Sequence, residues 1–122
     1  MSKAYDFLKE CGSFFVLTIN DDFPAGRPFG AIMEHEGKLY IATNPNNKVH
    51  QQLRDHRNMQ ILAKKEGTRQ WLRITGHARE CTDLDMKQRM IEACPVLVKH
   101  YQSADDPKLL LFAIEILETE FH

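Results

Sequence analysis

Two short stretches hold the residues best suited to chemistry. The first is Thr43-Asn44 followed by Lys48, at the point where a helix is expected to begin, at about Asn47-Lys48. The start of a helix presents N–H groups without intrahelical partners and a partial positive charge. A lysine there is disfavoured by the helix dipole by roughly 0.3–1 kcal/mol, a term that changes sign when an anion binds beside it. Thr43 and Asn44 add short polar groups alongside. The segment reads either as a phosphate site or as a solvated lysine behind an Asn46 or Asn47 cap. The second stretch is Arg27-Pro28-Phe29-Gly30. An arginine at the start of a strand can reach the same anion with its bidentate fork. Pro28 marks an edge or a bulge, and Gly30 either admits a close backbone or ligand approach or marks a bend in the sheet.

A third feature is the alternating row Trp71, Arg73, Thr75, His77 and Arg79. Period two sets it on the face opposite Leu72, Ile74, Gly76 and Ala78. It reads as a solvated sheet face, as a subunit interface, since Trp and Arg favour interface centres, or as a site for a flat ligand. A barrel presenting this row could also bind single-stranded nucleic acid by stacking and basic contacts. Other constellations are missing. The sequence has no HExxH, GxSxG, P-loop or GxGxxG pattern, and its six histidines show no metal-ligand spacing. Cys11, Cys81 and Cys94 form no CxxC pair, and their odd count suits free thiols in a reducing compartment.

These residues need a scaffold, and the pattern supplies one. Ala4, Phe7, Leu8 and Cys11 form one stripe of a helix over residues 3–11, ended by Gly12. Strands are expected over Ser13–Asn20, Arg27–His35 and Leu39–Thr43, as an antiparallel meander with turns at 20–26 and 35–38. A short helix to about His56 buries Val49 and Leu53. Strands follow at Met59–Ala63 and Trp71–Cys81. A capping box at Thr82-Asp83-Leu84-Asp85 opens a helix with Met86, Met90, Ala93 and Leu97 as its stripe, interrupted at Pro95. Leu109–Leu117 is apolar on both faces, hence a central strand. The expected fold class is α+β, mainly β: a six-stranded antiparallel barrel with flanking helices.

Composition sets the limits. The chain has 122 residues, 43% hydrophobic and 27% charged, the balance of one soluble globular domain over 1–122. Sixteen Lys and Arg against seventeen Asp and Glu leave a net charge of −1, with no global basic field for nucleic acid. No apolar run is long enough to span a bilayer, and the N-terminus has no apolar core of a secretory signal. A cytoplasmic protein is expected, with no membrane or nucleic-acid partner.

Taken together, Arg27-Pro28-Phe29-Gly30, Gly37-Lys38-Leu39-Tyr40-Ile41-Ala42-Thr43-Asn44, Lys48 and Trp71-Leu72-Arg73-Ile74-Thr75-Gly76 resemble the pyridoxamine 5′-phosphate oxidase-like family of FMN-binding split β-barrels. The order of elements agrees over nearly the whole chain, closest to the short single-domain members. The resemblance implies a homodimer with FMN in two grooves at the interface. Arg27 and Lys48 would hold the phosphate with Thr43 and Asn44 assisting. Pro28, Phe29 and Gly30 would lie along the isoalloxazine and ribityl chain, and Trp71 and Arg73 would approach from the partner subunit or line the groove edge. It implies an FMN-dependent oxidoreductase, or a flavin-binding redox module without turnover. Arg73 is then a candidate to stabilise reduced flavin, and His77 and Tyr101 are candidate proton donors. In the oxidase proper, a C-terminal Arg- and His-containing segment grips the pyridoxine substrate. This sequence runs through Glu118-Thr119-Glu120-Phe121-His122 without one, so oxidation of pyridoxamine phosphate is not the expected activity. Some relatives use haem or a deazaflavin instead.

Overall fold

The structure is a computed structural model and describes residues 2–122. It opens with α1 (Lys3–Cys11), capped by Ser2, whose hydroxyl accepts from the Tyr5 N–H at 3.2 Å, and closed by Gly12 at φ +78°. Ala4 and Leu8 are buried, with Phe7 and Cys11 packed beside them, as the stripe predicts. The strands are β1 (Phe14–Asn20), β2 (Phe23–Phe29), β3 (Met33–His35), β4 (Lys38–Thr43), β5 (Asn58–Lys64), β6 (Trp71–Cys81) and β7 (Leu110–Phe121). Between them lie α2 (Val49–Asp55), α3 (Leu84–Ala93) and a 3-10 helix, Pro95–Lys99. The strands form one antiparallel sheet in the order β2-β1-β5-β6-β7-β4-β3, open between its edges β2 and β3.

Seven strands stand where six are expected, because Arg27–His35 is not one strand. Its first part ends β2 at one edge, its last part is β3 at the other edge, and Gly30-Ala31-Ile32 carries the chain across. Phe23–Gly26 is paired strand rather than turn: Asn20 faces Phe23, and only Asp21-Asp22, with Asp21 at φ +55°, turns the chain. An edge strand tolerates Pro24 and Pro28, whose missing N–H would break a ladder in the interior. The expected meander is therefore two separate hairpins, β1-β2 and β3-β4. The second turns on Glu36 (φ +50°) and Gly37 (φ +79°), two left-handed residues of the type a tight hairpin needs. β7 is central, as expected, and joins β6 to β4. It continues past Leu117 to Phe121.

The sheet buries both faces. Val16, Leu39, Ile41, Ile61, Leu72, Ile74, Phe112 and Ile114 close one core with α1 and Leu53 of α2. Tyr40, Leu109 and Leu111 close the other against Met90 of α3, Cys94 and Leu97. α3 starts at Asp83, whose carboxylate accepts from the N–H groups of Asp85 and Met86 at 2.8 and 3.4 Å, so Asp83 rather than Thr82 is the cap. A bulge between Thr75 and Gly76 pairs those residues with Glu118 and Ile116 and leaves Leu117 as the extra residue, 54% exposed. Gly76 is required there, since a Cβ would collide with the carbonyl oxygen of Glu115.

Candidate functional site

Arg27 sits on β2 directly across from Val16 of β1, on the face that α2 covers. Its Nη1 donates to the Val16 carbonyl at 3.2 Å and to Thr18 Oγ1 at 2.8 Å, and its Nη2 donates to Gln52 Oε1 of α2 at 2.8 Å. The Thr18 hydroxyl also donates to Gln52 Oε1, so these two acceptors meet the end of the guanidinium side by side. Three of the five guanidinium N–H groups are thus engaged. The two along the Nε edge have no partner among the described residues, and they form the side-on fork that binds phosphate or carboxylate bidentately. Every acceptor on Arg27 is neutral, and among the described residues no carboxylate is in ion-pair reach of Arg27 or Lys48. Partial burial pushes the Arg27 guanidinium below its ordinary pKa. A cation held in place this way, with its charge uncompensated, is arranged for an anion.

Lys48 is exposed and is the residue before α2, one position before the two-turn helix begins. Its carbonyl accepts from Gln52 N–H at 3.0 Å, so the backbone at Lys48 and the side chain that holds Arg27 belong to the same turn. The first N–H of α2 is already taken, by Asn47 Oδ1 at 3.2 Å, while Asn47 Nδ2 donates to Thr43 Oγ1 at 2.9 Å. With one donor filled and the helix only seven residues long, the two cations rather than the helix dipole supply most of the attraction for an anion.

Beside them runs a groove of about 530 Å³. It is lined by Pro28, Phe29 and Gly30 at the end of β2, by Thr43, Asn44 and Asn47 between β4 and α2, and by Val96, His100 and Tyr101 after α3. Arg27 and Lys48 do not line it themselves, but each is the chain neighbour of a residue that does, Pro28 and Asn47. Tyr101 is buried and lines the groove with Asn44. Burial pushes the Tyr101 phenol up, and the Asn44 side chain opposes this.

Five of the predicted residues, Pro28, Phe29, Gly30, Thr43 and Asn44, therefore share one groove. Trp71 and Arg73 do not enter it within one chain. They line a separate hollow with Leu17 and Leu62 on the outer face of β1, β5 and β6. Trp71 stacks on His122 with centroids 4.3 Å apart, and Arg73 lies 4.9 Å over the Trp71 ring with its Nε 3.7 Å from Glu120. His77 lines other hollows, so of the two candidate proton donors Tyr101 alone reaches the groove. Thr18, Gln52, Val96 and His100 escaped sequence reasoning. Thr18 could have been found as the polar residue at an inward position of the apolar run Phe14–Ile19; the others show no local signal. Among the described residues no group of three or more His, Cys, Asp or Glu could hold a metal ion.

The architecture is that of a mainly β chain with an open antiparallel sheet, three α-helices and an arginine fork beside a groove. The chain belongs to the pyridoxamine 5′-phosphate oxidase family, whose model matches residues 2–122. A solved NimC/NimA family protein from Clostridium acetobutylicum is 34% identical, with a TM-score of 0.85 over 98% of this chain and 89% of that one. The general stress FMN/FAD binding protein of Xanthomonas citri is 22% identical, with a TM-score of 0.80 over 98% and 85%. An FAD-binding protein from Mesorhizobium loti is 19% identical, with a TM-score of 0.71 over 99% and 94%. Among curated proteins none matches the chain. No helix among the described residues is long and apolar enough to cross a membrane.

Proposed function

We propose that the chain binds FMN and works as a flavin-dependent oxidoreductase. The observation that carries this reading is the free side-on fork of Arg27, held by neutral acceptors that include Gln52, in the same turn as Lys48, with the groove-lining Pro28 next in the chain. A phosphate monoester brings nearly two negative charges and three acceptor oxygens, which matches a fork plus one lysine. The family and the FMN/FAD binding protein of similar fold support flavin as the group carrying that phosphate. Bound FMN supplies hydride or electron transfer; the chain supplies position and charge. Thr43, Asn44 and Asn47 supply polar groups to the groove lining, and Phe29 and Val96 the apolar surface that a ring system requires. The absence of a nucleophile motif fits chemistry carried by a cofactor.

The working unit in this reading is a homodimer. The outer face of β1, β5 and β6, continued by the bulge residue Leu117 of β7, carries exposed Phe15 and Leu117 near Leu17, Leu62 and Trp71, the kind of apolar patch that marks an interface. Docking two such faces would let Trp71 and Arg73 of one subunit serve the groove of the other. There Arg73 would stabilise negative charge on the reduced flavin. The pairing of Arg73 with Glu120 and the stacking of Trp71 on His122 weigh against the nucleic-acid reading of the same row.

The test is direct. Protein mixed with FMN and desalted is expected to keep the flavin absorbance bands at about one equivalent per chain. Steady-state assays with NADH, NADPH and a nitroaromatic acceptor then separate an enzyme from a redox module. Colourless protein after desalting would overturn the proposal.

A further inference from the structure

A second groove, of about 340 Å³, opens on the sheet face that carries α3, beyond the part the helix covers. Its floor is Ala113 of β7, between Tyr40 of β4 and Arg79 of β6. The adjacent row places Glu115 beside His77, with Lys38 at the start of β4. Arg57, from the turn between α2 and β5, closes one side and is held there by its carbonyl, which accepts from Ala78 N–H at 2.8 Å. Three permanent cations thus surround one small-residue floor: Lys38, Arg57 and Arg79. All three are exposed, and none has a carboxylate in ion-pair reach among the described residues.

The carboxylates nearby are mostly engaged elsewhere. Glu80 is held by the side-on fork of Arg54, whose Nε and Nη2 donate to it at 2.7 and 2.8 Å, and Asp83 caps α3. Glu36, on the hairpin turn, is largely exposed and lies 3.7 Å from His35. Glu115 is the one lining carboxylate without an ion-pair partner, so three cations face one acid before His77 is counted. Lys38 and Arg79 stand on strands two apart in the sheet, about 10 Å between backbones. A single carboxylate offsets one of these three positive charges, whereas a diphosphate brings enough charge and acceptor oxygens for all three. Ala113 leaves room for them where a larger side chain would fill the floor.

We propose that this groove binds a small molecule bearing a diphosphate, with Lys38, Arg57 and Arg79 as its ligands. The site is independent of the flavin groove and shares no lining residue with it. Cys81, half-buried in the same groove, serves as a reporter.

The probe is inorganic pyrophosphate, titrated calorimetrically at low salt into a variant carrying Arg27→Ala and Lys48→Ala, which removes the other anion site. Binding is expected to persist in that background, to weaken about tenfold on adding Arg79→Gln or Arg57→Gln, one charge-assisted contact each, and to tighten with Glu115→Gln. Saturating pyrophosphate is expected to slow iodoacetamide labelling of Cys81 at least severalfold while labelling of Cys11 keeps its rate. Lys48, Arg57, Arg79 and Glu115 are exposed, whereas Arg27→Ala removes the bonds to Thr18 and Gln52, so circular dichroism of the Arg27/Lys48 background sets the folded reference that each further variant must match. No binding in the Arg27/Lys48 background, affinity unchanged from that background on adding Arg79→Gln or Arg57→Gln, or equal protection of Cys11 and Cys81 would each overturn the proposal.

Discussion

Replacing Arg27 separates phosphate recognition from every other way of holding a flavin. Arg27→Ala deletes the free Nε edge, a site for two charge-assisted hydrogen bonds to a phosphate. Bonds to charged groups contribute about 1.5–3 kcal/mol each; since Lys48 remains to hold part of the charge, a net loss of about 3 kcal/mol follows, roughly 150-fold in affinity. Riboflavin has no phosphate, so its affinity should move less than about threefold. The substitution also removes the donors to the Val16 carbonyl, Thr18 and Gln52. Thr18 and Gln52 are buried; Gln52 Oε1 keeps the Thr18 hydroxyl as donor, but the bonds lost from a charged donor still cost about 1–3 kcal/mol of stability. Arg27→Lys controls for this: it keeps the charge and loses the fork, and its FMN affinity should fall between the other two. Dissociation constants for both flavins come from quenching of flavin fluorescence at two salt concentrations. The wild-type FMN constant should tighten between pH 5 and 7 as the phosphate loses its second proton, near pH 6, and this dependence should flatten in Arg27→Ala. Equal losses of FMN and riboflavin would refute the reasoning, because the groove and not the anion would then be what Arg27 supports.

Gly76→Ala should destabilise by several kcal/mol, since its Cβ meets the Glu115 carbonyl at the bulge; thermal unfolding of a barely altered protein would contradict that geometry. Leu117→Lys, on an exposed position of the proposed dimer face, should leave the monomer fold intact and shift sedimentation toward the monomer. An unchanged dimer would place the interface elsewhere. Hydrogen bonding to Arg54 holds the Glu80 carboxyl below its usual range. A lowered native value means stability that is present above the unfolded value, near 4.3, and is lost as pH falls through the native one. Both partners of the pair are partly exposed, so after solvent screening this is about 0.5–1 kcal/mol; Glu80→Gln should flatten the acid limb of the stability curve by that amount.

The elements whose patterns were local were legible. The α1 stripe, the alternation of β6 and the burial of Val49 and Leu53 follow from side-chain periodicity, which a single segment carries by itself. What was misread depends on distant partners. Nothing between Arg27 and His35 tells a reader that the ends of this run pair with β1 and β4 at opposite edges of the sheet, since Gly30 signals a bend and a ligand approach equally. Pro24 and Gly26 look like turn residues unless the strand is known to be an edge. At the site, residue types betrayed the two cations and the polar pair Thr43-Asn44. The acceptors that fix Arg27 were hidden, because Gln52 reaches it only after α2 folds over β1. The wall formed by Val96, His100 and Tyr101 was hidden for the same reason: it arrives from a segment far along the chain.

The placement of β7 has a consequence for how the molecule assembles. β1-β2, β3-β4 and β5-β6 are hairpins of chain neighbours, β1 and β5 pair across the intervening strands, and among the described residues the ladder that links β3-β4 to the other strands is β7, through contacts such as Leu39 with Ile114 and Ala78 with Ile114. Such remote pairings carry a large loop-closure cost, and chains rich in them fold slowly. Until β7 pairs, the chain therefore holds two half-sheets with unsatisfied edges, and it is β7 that welds them and hides surfaces that would otherwise invite aggregation.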